Sequence, residues 1–344
     1  MTTKSKKKRF TLPRLIILLL LIGVIIMGGW VFLRTALLSG LAHGMQNLEA
    51  QGYQIGHEGL EVQGFPLFID ASTDKIMLRA PASNTMEPSK NWTVSTQILH
   101  LKSKPLWPLS WSIIHDGTMR IDMRPGDRQR YLFEIVPAEF QIDASATITG
   151  TLKQARFHSE PARLAPLIGN PPFVSSIGEV DASIRTKGAL GAYSVHAQDF
   201  RLVEATAPLL VQVLGPKIDQ IDITGEITDW SILQKSTPEI WQSTGHIIAT
   251  QFLLKWGTAD IIGDFDFGFK NGLPQGSIRF RIKNLDNLYQ NIRQAGLIDP
   301  AYEKQIAAFL SVLDTDDNGR SQLEFTMQNG VLKYGFLTLY DFTR

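Results

Sequence analysis

Hydrophobic and polar positions fall into three regimes along this chain. From Leu15 to Leu33 nothing alternates: LIILLLLIGVIIMGGWVFL runs for about 19 residues without a charge. At about 1.5 Å per residue this is roughly 28 Å of helix, close to the ~30 Å hydrocarbon thickness of a bilayer. The run predicts one membrane-spanning helix, and Leu37 to Ala50 continues it as a short helix that stops before Gly52. From there a period of two takes over. Met119, Ile121 and Met123 alternate with Arg120, Asp122 and Arg124; Pro125-Gly126-Asp127 then signals a turn, and Tyr131, Phe133 and Ile135 predict the return strand of a hairpin. Phe140, Ile142, Ala144, Ala146 and Ile148 alternate with Gln141, Asp143, Ser145 and Thr147, the pattern of a strand with one apolar and one wet face.

Prolines 161, 166, 171 and 172 interrupt this pattern between Ser159 and Phe173, which predicts an internal connection. Strands resume after it at Val180-Ala182-Ile184, Tyr193-Val195-Ala197, Ile221-Ile223-Gly225-Ile227, Ile248-Thr250-Phe252 and Ile261-Gly263-Phe265-Phe267-Phe269. Glycine recurs inside them, in ATITGTL, DITGEIT and DIIGDFDF. A glycine weakens a strand but permits a bend or a close approach, so its recurrence predicts curved sheet. Asn271-Gly272 and Gln275-Gly276 mark a turn before Ile278, Phe280 and Ile282; the other face of that strand carries Arg279, Arg281 and Lys283, a cationic row that suits either solvent or a phosphate.

A helical period appears once more. Leu285, Leu288 and Ile292 share a face ahead of the stop at Gly296. Asp299-Pro300 then opens a second helix, with Tyr302, Ile306, Phe309, Leu310 and Leu313 as its apolar stripe. Both stripes are expected to face the core. The chain closes with Leu323-Phe325-Met327, the Asn329-Gly330 turn, and a return strand through Leu332, Tyr334 and Phe336. The expected fold class is mainly β (α+β): a single transmembrane helix, then curved antiparallel sheet with a few packed amphipathic helices. Its parts are a cytoplasmic basic tail (1–14), a transmembrane signal anchor (15–33), a juxtamembrane helix and linker (34–58), a first β-rich part (59–158), the Pro-rich connection (159–173) and a second β-rich part (174–344) with two helices near 285–313.

Charge gives the anchor a direction. Lys4, Lys6, Lys7, Lys8, Arg9 and Arg14 precede the run, and only Arg34 follows it before Lys75. The positive-inside bias therefore places the N-terminus in the cytoplasm and exports the bulk, a single-pass protein of the bacterial inner membrane facing the periplasm. Gly40 and Ala42 in SGLAHG imitate a cleavage site, but the run is longer than the ~7–15 apolar residues of a cleaved signal, so the anchor is read as retained. The formal net charge is +1; removing the six basic residues leaves the exported part near −5. Nucleic acid, which needs a basic stripe, is not an expected partner. The chain has no cysteine, which removes disulfides, thiolate metal sites and cysteine nucleophiles.

Motifs for catalysis are missing: no G-x-S-x-G, H-E-x-x-H, phosphate-binding G-x-x-x-x-G-K or dinucleotide G-x-G-x-x-G occurs. Seven histidines, at 43, 57, 100, 115, 158, 196 and 246, are scattered singly, and surface or turn positions are expected for them. No enzymatic activity, catalytic residue or cofactor is expected. One segment imitates a metal loop: Asp314, Asp316 and Asn318 stand at positions one, three and five of an EF-hand-like stretch, with Gly319 at six. Position twelve is Phe325, however, and Glu324 comes one residue early. These four oxygen donors are the calcium candidates, set against a plain polar turn. In Pro105-Leu106-Trp107-Pro108-Leu109-Ser110-Trp111 the two indoles suit a core or a lipid interface.

An ordered set of short elements resembles a known family. Gly59-Leu60-Glu61-Val62-Gln63-Gly64-Phe65-Pro66-Leu67, soon after the anchor, resembles the strand and Gly-Phe-Pro element (Gly64, Phe65, Pro66) of the proteobacterial envelope family termed domain of unknown function 2125. Lys255-Trp256-Gly257, Gly263-Asp264-Phe265, Asn271-Gly272-Leu273-Pro274-Gln275-Gly276-Ser277, Gln294-Ala295-Gly296-Leu297-Ile298, Asn329-Gly330 and Gly335 look like its later landmarks. The resemblance covers most of the exported part and implies no reaction. In organisation the chain is also similar to AsmA-like envelope proteins, some of them implicated in phospholipid traffic, which is an analogy of architecture. The expected function is a non-enzymatic, membrane-anchored envelope protein whose partners are the lipid bilayer and phospholipid sheltered by the sheet. The alternative is a structural or interaction module presenting a sheet edge to another envelope protein, and a periplasmic hydrolase is the third reading.

Overall fold

A computed structural model describes residues 12–65, 68–81, 91–104, 107–124, 130–235, 241, 243–270, 273–335 and 337–341. Outside them lie Lys4 to Arg9 of the basic tail, Pro66 and Leu67, Pro105 and Leu106, and the turn signals Pro125-Gly126-Asp127 and Asn271-Gly272, as well as Phe336. The first element is a 39-residue helix, α1 (Leu12–Ala50), that contains the apolar run and continues beyond it without a break. It is long and apolar enough to cross a membrane. Its length of roughly 58 Å is nearly twice a bilayer's apolar thickness of about 30 Å, so its second part lies on the protein itself.

Antiparallel strands make up nearly all the rest. They are β1 (Gln54–Glu58), β2 (Glu61–Gln63), β3 (Ile69–Arg79), β4 (Trp92–Lys104), β5 (Trp107–His115), β6 (Met119–Met123), β7 (Tyr131–Val136), β8 (Phe140–Ala146), β9 (Leu152–Ser159) and β10 (Ala162–Ile168). After these come β11 (Val174–Ile177), β12 (Val180–Lys187), β13 (Leu190–Leu202), β14 (Lys217–Ile227), β15 (His246–Trp256), β16 (Ala259–Lys270), β17 (Leu273–Lys283), β18 (Arg320–Gln328), β19 (Val331–Tyr334) and β20 (Leu337–Asp341). All twenty belong to one sheet.

The topology is simpler than that count. β4 pairs with β5 along one half and β6 along the other, and β13 pairs likewise with β12 and β11. Between them β5 pairs with β8, β8 with β9 and β9 with β12, while β6 pairs with β7, β7 with β10 and β10 with β11. Hence β5–β6, β7–β8, β9–β10 and β11–β12 are each one long strand broken in the middle, and β1–β2 run in the same way along β3. Twenty strands reduce to fifteen, laid side by side in chain order as an up-and-down meander.

The breaks line up into a crease. It passes Ile98 in β4, Asp116–Thr118, Pro137–Glu139, Glu160–Pro161, Gly178–Glu179 and Asp199 in β13; Ile98 and Asp199 have φ of 28° and 60°. Backbone bonds still cross it, from Ala138 N–H to the Gly117 carbonyl at 2.7 Å and from Glu160 N–H to the Glu139 carbonyl at 3.1 Å. The sheet is therefore bent rather than divided, and β10 carries it through the Pro-rich stretch 159–173. The strand expected to reach Ile148 ends at Ala146, and Ile148 sits in the following turn, 93% exposed.

Among the described residues, four further helices with full bounds decorate the ends: α2 (Pro208–Leu214), α3 (Trp230–Leu233), α4 (Leu285–Gln294) and α5 (Pro300–Ser311). The expected start of α5 is in place, with Pro300 in its first turn and the Asp299 carboxylate accepting the Ala301 N–H at 2.8 Å. The stripes of α4 and α5, expected to be core, contain no buried residue. They lean on the rim of the sheet. Core formation instead centres on α1, where Leu33, Leu37, Ile69 and Ala71 are buried with Trp30, Leu41, Val62, Leu101 and Trp111 packed around them. Trp111 thus follows the core reading of its segment and Trp107, 63% exposed, does not.

Candidate functional site

Strand register sorts the side chains into two faces. Starting at Val62, successive cross-strand partners are Ala71, Leu101, Ile113, Ile142, Phe157, Ala182, Val195, Ile223, Phe252, Gly263, Phe280 and Leu323. No member of that row is polar. One residue along, the row reads Lys102, Ser112, Asp143, Arg156, Ser183, Ser194, Thr224 and Gln251, with no apolar member. A sheet with strands about 4.8 Å apart carries this apolar band for roughly 58 Å along its surface.

Among the described residues nothing closes the whole band over. α1 covers its first strands and α5 leans on its last, where Phe309 meets Tyr334 edge-on at 5.1 Å between ring centres. In the middle, Ile142, Phe157, Val195, Ile223, Phe252 and Phe280 are all half-buried. So are Phe265, Phe267 and Phe269 on β16. Among the described residues sixteen hydrophobic side chains are buried and half of them are alanines, too little bulk for a two-layer core. Apolar clefts remain at both ends, one of about 230 Å³ between Leu41, Met45, Leu99 and Ile113, and one of about 490 Å³ between α5 and Phe325.

Two glycines keep the band continuous. A Cβ on Gly263 would strike the Arg279 carbonyl and lie 3.1 Å from the Phe280 ring. One on Gly225 would strike the Ile248 carbonyl and come within 2.8 Å of the Tyr193 hydroxyl, which donates to that same carbonyl at 3.2 Å. A chain of aromatic rings runs past the Gly263 position. Phe252, Phe280, Phe325 and Tyr334 follow one another at 6.0, 6.3 and 5.7 Å.

The polar face carries imidazole–carboxylate pairs between strands: His100 with Asp70 at 2.9 Å, His158 with Asp181 at 2.9 Å, His246 with Asp266 at 2.7 Å, and His196 with Asp222. The sequence reading missed them because each partner lies 20 to 30 residues away; the signal was there in polar positions that meet, directly or diagonally, on neighbouring strands. A His–Asp pair is the orienting half of a base unit. Among the described residues, none of these four imidazoles hydrogen-bonds a Ser, Thr or Tyr hydroxyl. His115, expected at the surface, is 1% exposed. Its Nδ1 donates to the Ala138 carbonyl, its Nε2 accepts from Thr96, and its ring stacks on Phe140 at 4.9 Å. That bonding makes it a structural pin at the crease.

His158 lies between carboxylates, and hydrogen bonds to Asp181 first and Glu160 second raise its pKa above the ordinary imidazole value. With Glu179 and Asp181 it forms the one group of three potential ligands within 4.8 Å of one another among the described residues. Asp314, Asp316 and Glu324 are not drawn together in this way. Asp316 uses Oδ1 to accept the Asn318 and Arg320 N–H groups at 2.9 Å, closing its own turn, and Glu324 stands on β18 opposite Arg279. Arg279 in turn pairs with Asp264 at 2.7 Å.

The Gly64-Phe65 element faces α1. Phe65 packs edge-on against Trp30 at 5.3 Å, and the Trp30 indole donates to the Phe68 carbonyl at 3.1 Å; Pro66 lies outside the described residues. Helix and sheet are thereby joined into a class of protein with one apolar helix docked on the first strands of a large, open, curved antiparallel sheet. The chain belongs to the family described as an uncharacterized protein conserved in bacteria, DUF2125, which matches residues 30–342. No curated protein and no solved structure matches it.

Proposed function

We propose that this protein is a non-enzymatic component of the bacterial envelope, held in the inner membrane by α1 with its sheet in the periplasm, where the apolar band shelters phospholipid acyl chains. The observation that carries this reading is the unbroken apolar row from Val62 to Leu323, left only half-buried along its middle. Apolar surface on this scale exposed to water marks a binding surface rather than a finished exterior. The band lies on one face of the sheet and the polar row on the other, so one side offers continuous hydrocarbon contact while the opposite side stays wet. The band also begins under α1, so a lipid leaving the bilayer meets apolar surface from the outset. The similarity in organisation to AsmA-like proteins is compatible with this use.

Native mass spectrometry of the purified full chain tests the reading. Bound phospholipid should accompany the protein and disappear when the row is interrupted by a charge. A chain that repeatedly carries no lipid, while crosslinking in membranes captures one protein partner, favours the interaction module instead.

A further inference from the structure

We propose that the turns at one end of the sheet form an apolar rim that dips into the outer layer of the same bilayer that α1 crosses, so that the mouth of the apolar band is seated in lipid. The inference rests on α1 being membrane-spanning and is independent of what the band carries. Its starting point is depth. Trp30 lies inside the charge-free run, four residues before Arg34, which is about 6 Å along a helix. The Arg34 guanidinium sits 5.9 Å from the Trp30 ring, the arrangement of a basic residue reaching back to the headgroups over an interfacial indole. Because the Trp30 indole is hydrogen-bonded to the Phe68 carbonyl and its ring packs on Phe65, Phe65 and Phe68 share the depth of Trp30.

The neighbouring turns follow by register. Ile69 pairs with Ser103, so Phe68 and Lys104 each lie one residue beyond that pair at the same end. Ser110 pairs with Ser145, and Trp107 and Ile148 each lie three residues beyond it. Consecutive turns therefore present Phe65, Phe68, Trp107 and Ile148, which are 52%, 45%, 63% and 93% exposed. In water these side chains gain nothing from being grouped. Seated about 5–10 Å into the headgroup and acyl boundary they have the composition of an interfacial anchor, with the exposed Lys104 ammonium placed to meet anionic headgroups.

The chain has no cysteine, so single labels can be placed without removing any residue. Full-length protein carrying Trp107→Cys, Ile148→Cys, Val24→Cys or Phe173→Cys, each labelled with an environment-sensitive fluorophore, is placed in phosphatidylethanolamine–phosphatidylglycerol nanodiscs. The discs contain phosphatidylcholine nitroxide-labelled high on its acyl chain. Val24 reports α1 itself; Phe173 is an equally apolar, 49% exposed position at the opposite end of the sheet. The expected result is blue-shifted emission and loss of most of the fluorescence at 24, 107 and 148, with 173 unaffected. Quenching at 24 without quenching at 107 and 148 overturns the rim while leaving the anchor intact. Absence of quenching at 24 removes the anchor and the rim together, and equal quenching at 173 overturns the rim in favour of a sheet lying flat on the surface.

Discussion

A charge placed in the middle of the apolar row distinguishes an open band from a closed core. Ile223 sits between Val195 and Phe252 in register and is half-buried. Full burial of an isoleucine side chain stabilises by about 1.5–3 kcal/mol, so half-burial accounts for roughly 1 kcal/mol. The poorer strand preference of aspartate adds at most about 1 kcal/mol. On an open face the new carboxylate stays in contact with water and incurs little desolvation. Ile223→Asp is then expected to cost about 2 kcal/mol and to leave the fold intact. In a closed core the same carboxylate would be desolvated without a partner, and the loss would pass about 5 kcal/mol. Urea unfolding of the nanodisc-held chain, followed by the strand signal in circular dichroism, reads the difference as a midpoint shift of roughly 1 M or less. Bound lipid, measured in parallel, is expected to fall sharply because the carboxylate interrupts the band. An unfolded variant, or a stable one with unchanged lipid, refutes the reasoning.

Leu37→Ala removes a buried side chain from the contact of α1 with Ile69 and Ala71, and about 2–5 kcal/mol of docking free energy should go with it; faster amide exchange between residues 38 and 50 reports the loss, and unchanged protection contradicts it. Gly225→Ala drives a Cβ into the Ile248 carbonyl and should destabilise the sheet by about 1–3 kcal/mol in the same urea assay, whereas a neutral result would mean that the strands can spread at no cost. The raised pKa of His158 means that its protonated form favours the folded state. That stabilisation is fully present below about pH 6.5 and is lost as the pH rises through the folded-state value. An imidazole NMR titration should give a midpoint above about 6.5 that drops in Asp181→Asn, and an unshifted midpoint in both proteins contradicts the pairing.

Most of the sheet was legible because a period of two is a local property. The hairpin of β6 and β7, the strands from β12 to β17, the stop at Gly296 and the cap at Asp299 all follow from side chains within a few residues of one another. The crease was not legible, because Asp116-Gly117, Pro137, Glu160-Pro161 and Gly178 carry the same chemistry in a bend as in a full reversal. Proline misled in a related way. Pro166 argued for a break, yet it sits in β10 opposite Phe133, beyond the short pairing of β10 with β11 at Ala162 and Arg163, where a missing N–H is tolerated. The apolar row was legible only as separate stripes. That they align from Val62 to Leu323 is a matter of register, and register depends on every hairpin between them. The His–Asp pairs of the polar face were hidden for the same reason.

Photocrosslinking on alternate residues tests the central claim most directly. A photoreactive amino acid is placed in the full chain at Ile142, Val195 or Ile223 on the apolar row, and at Asp143, Ser194 or Thr224 on the adjoining polar row, and is activated in living cells. Phospholipid adducts at the first three positions, with none at the second three, are expected if the band shelters acyl chains. Adducts to protein at the apolar positions, or lipid adducts equally on both faces, would contradict it.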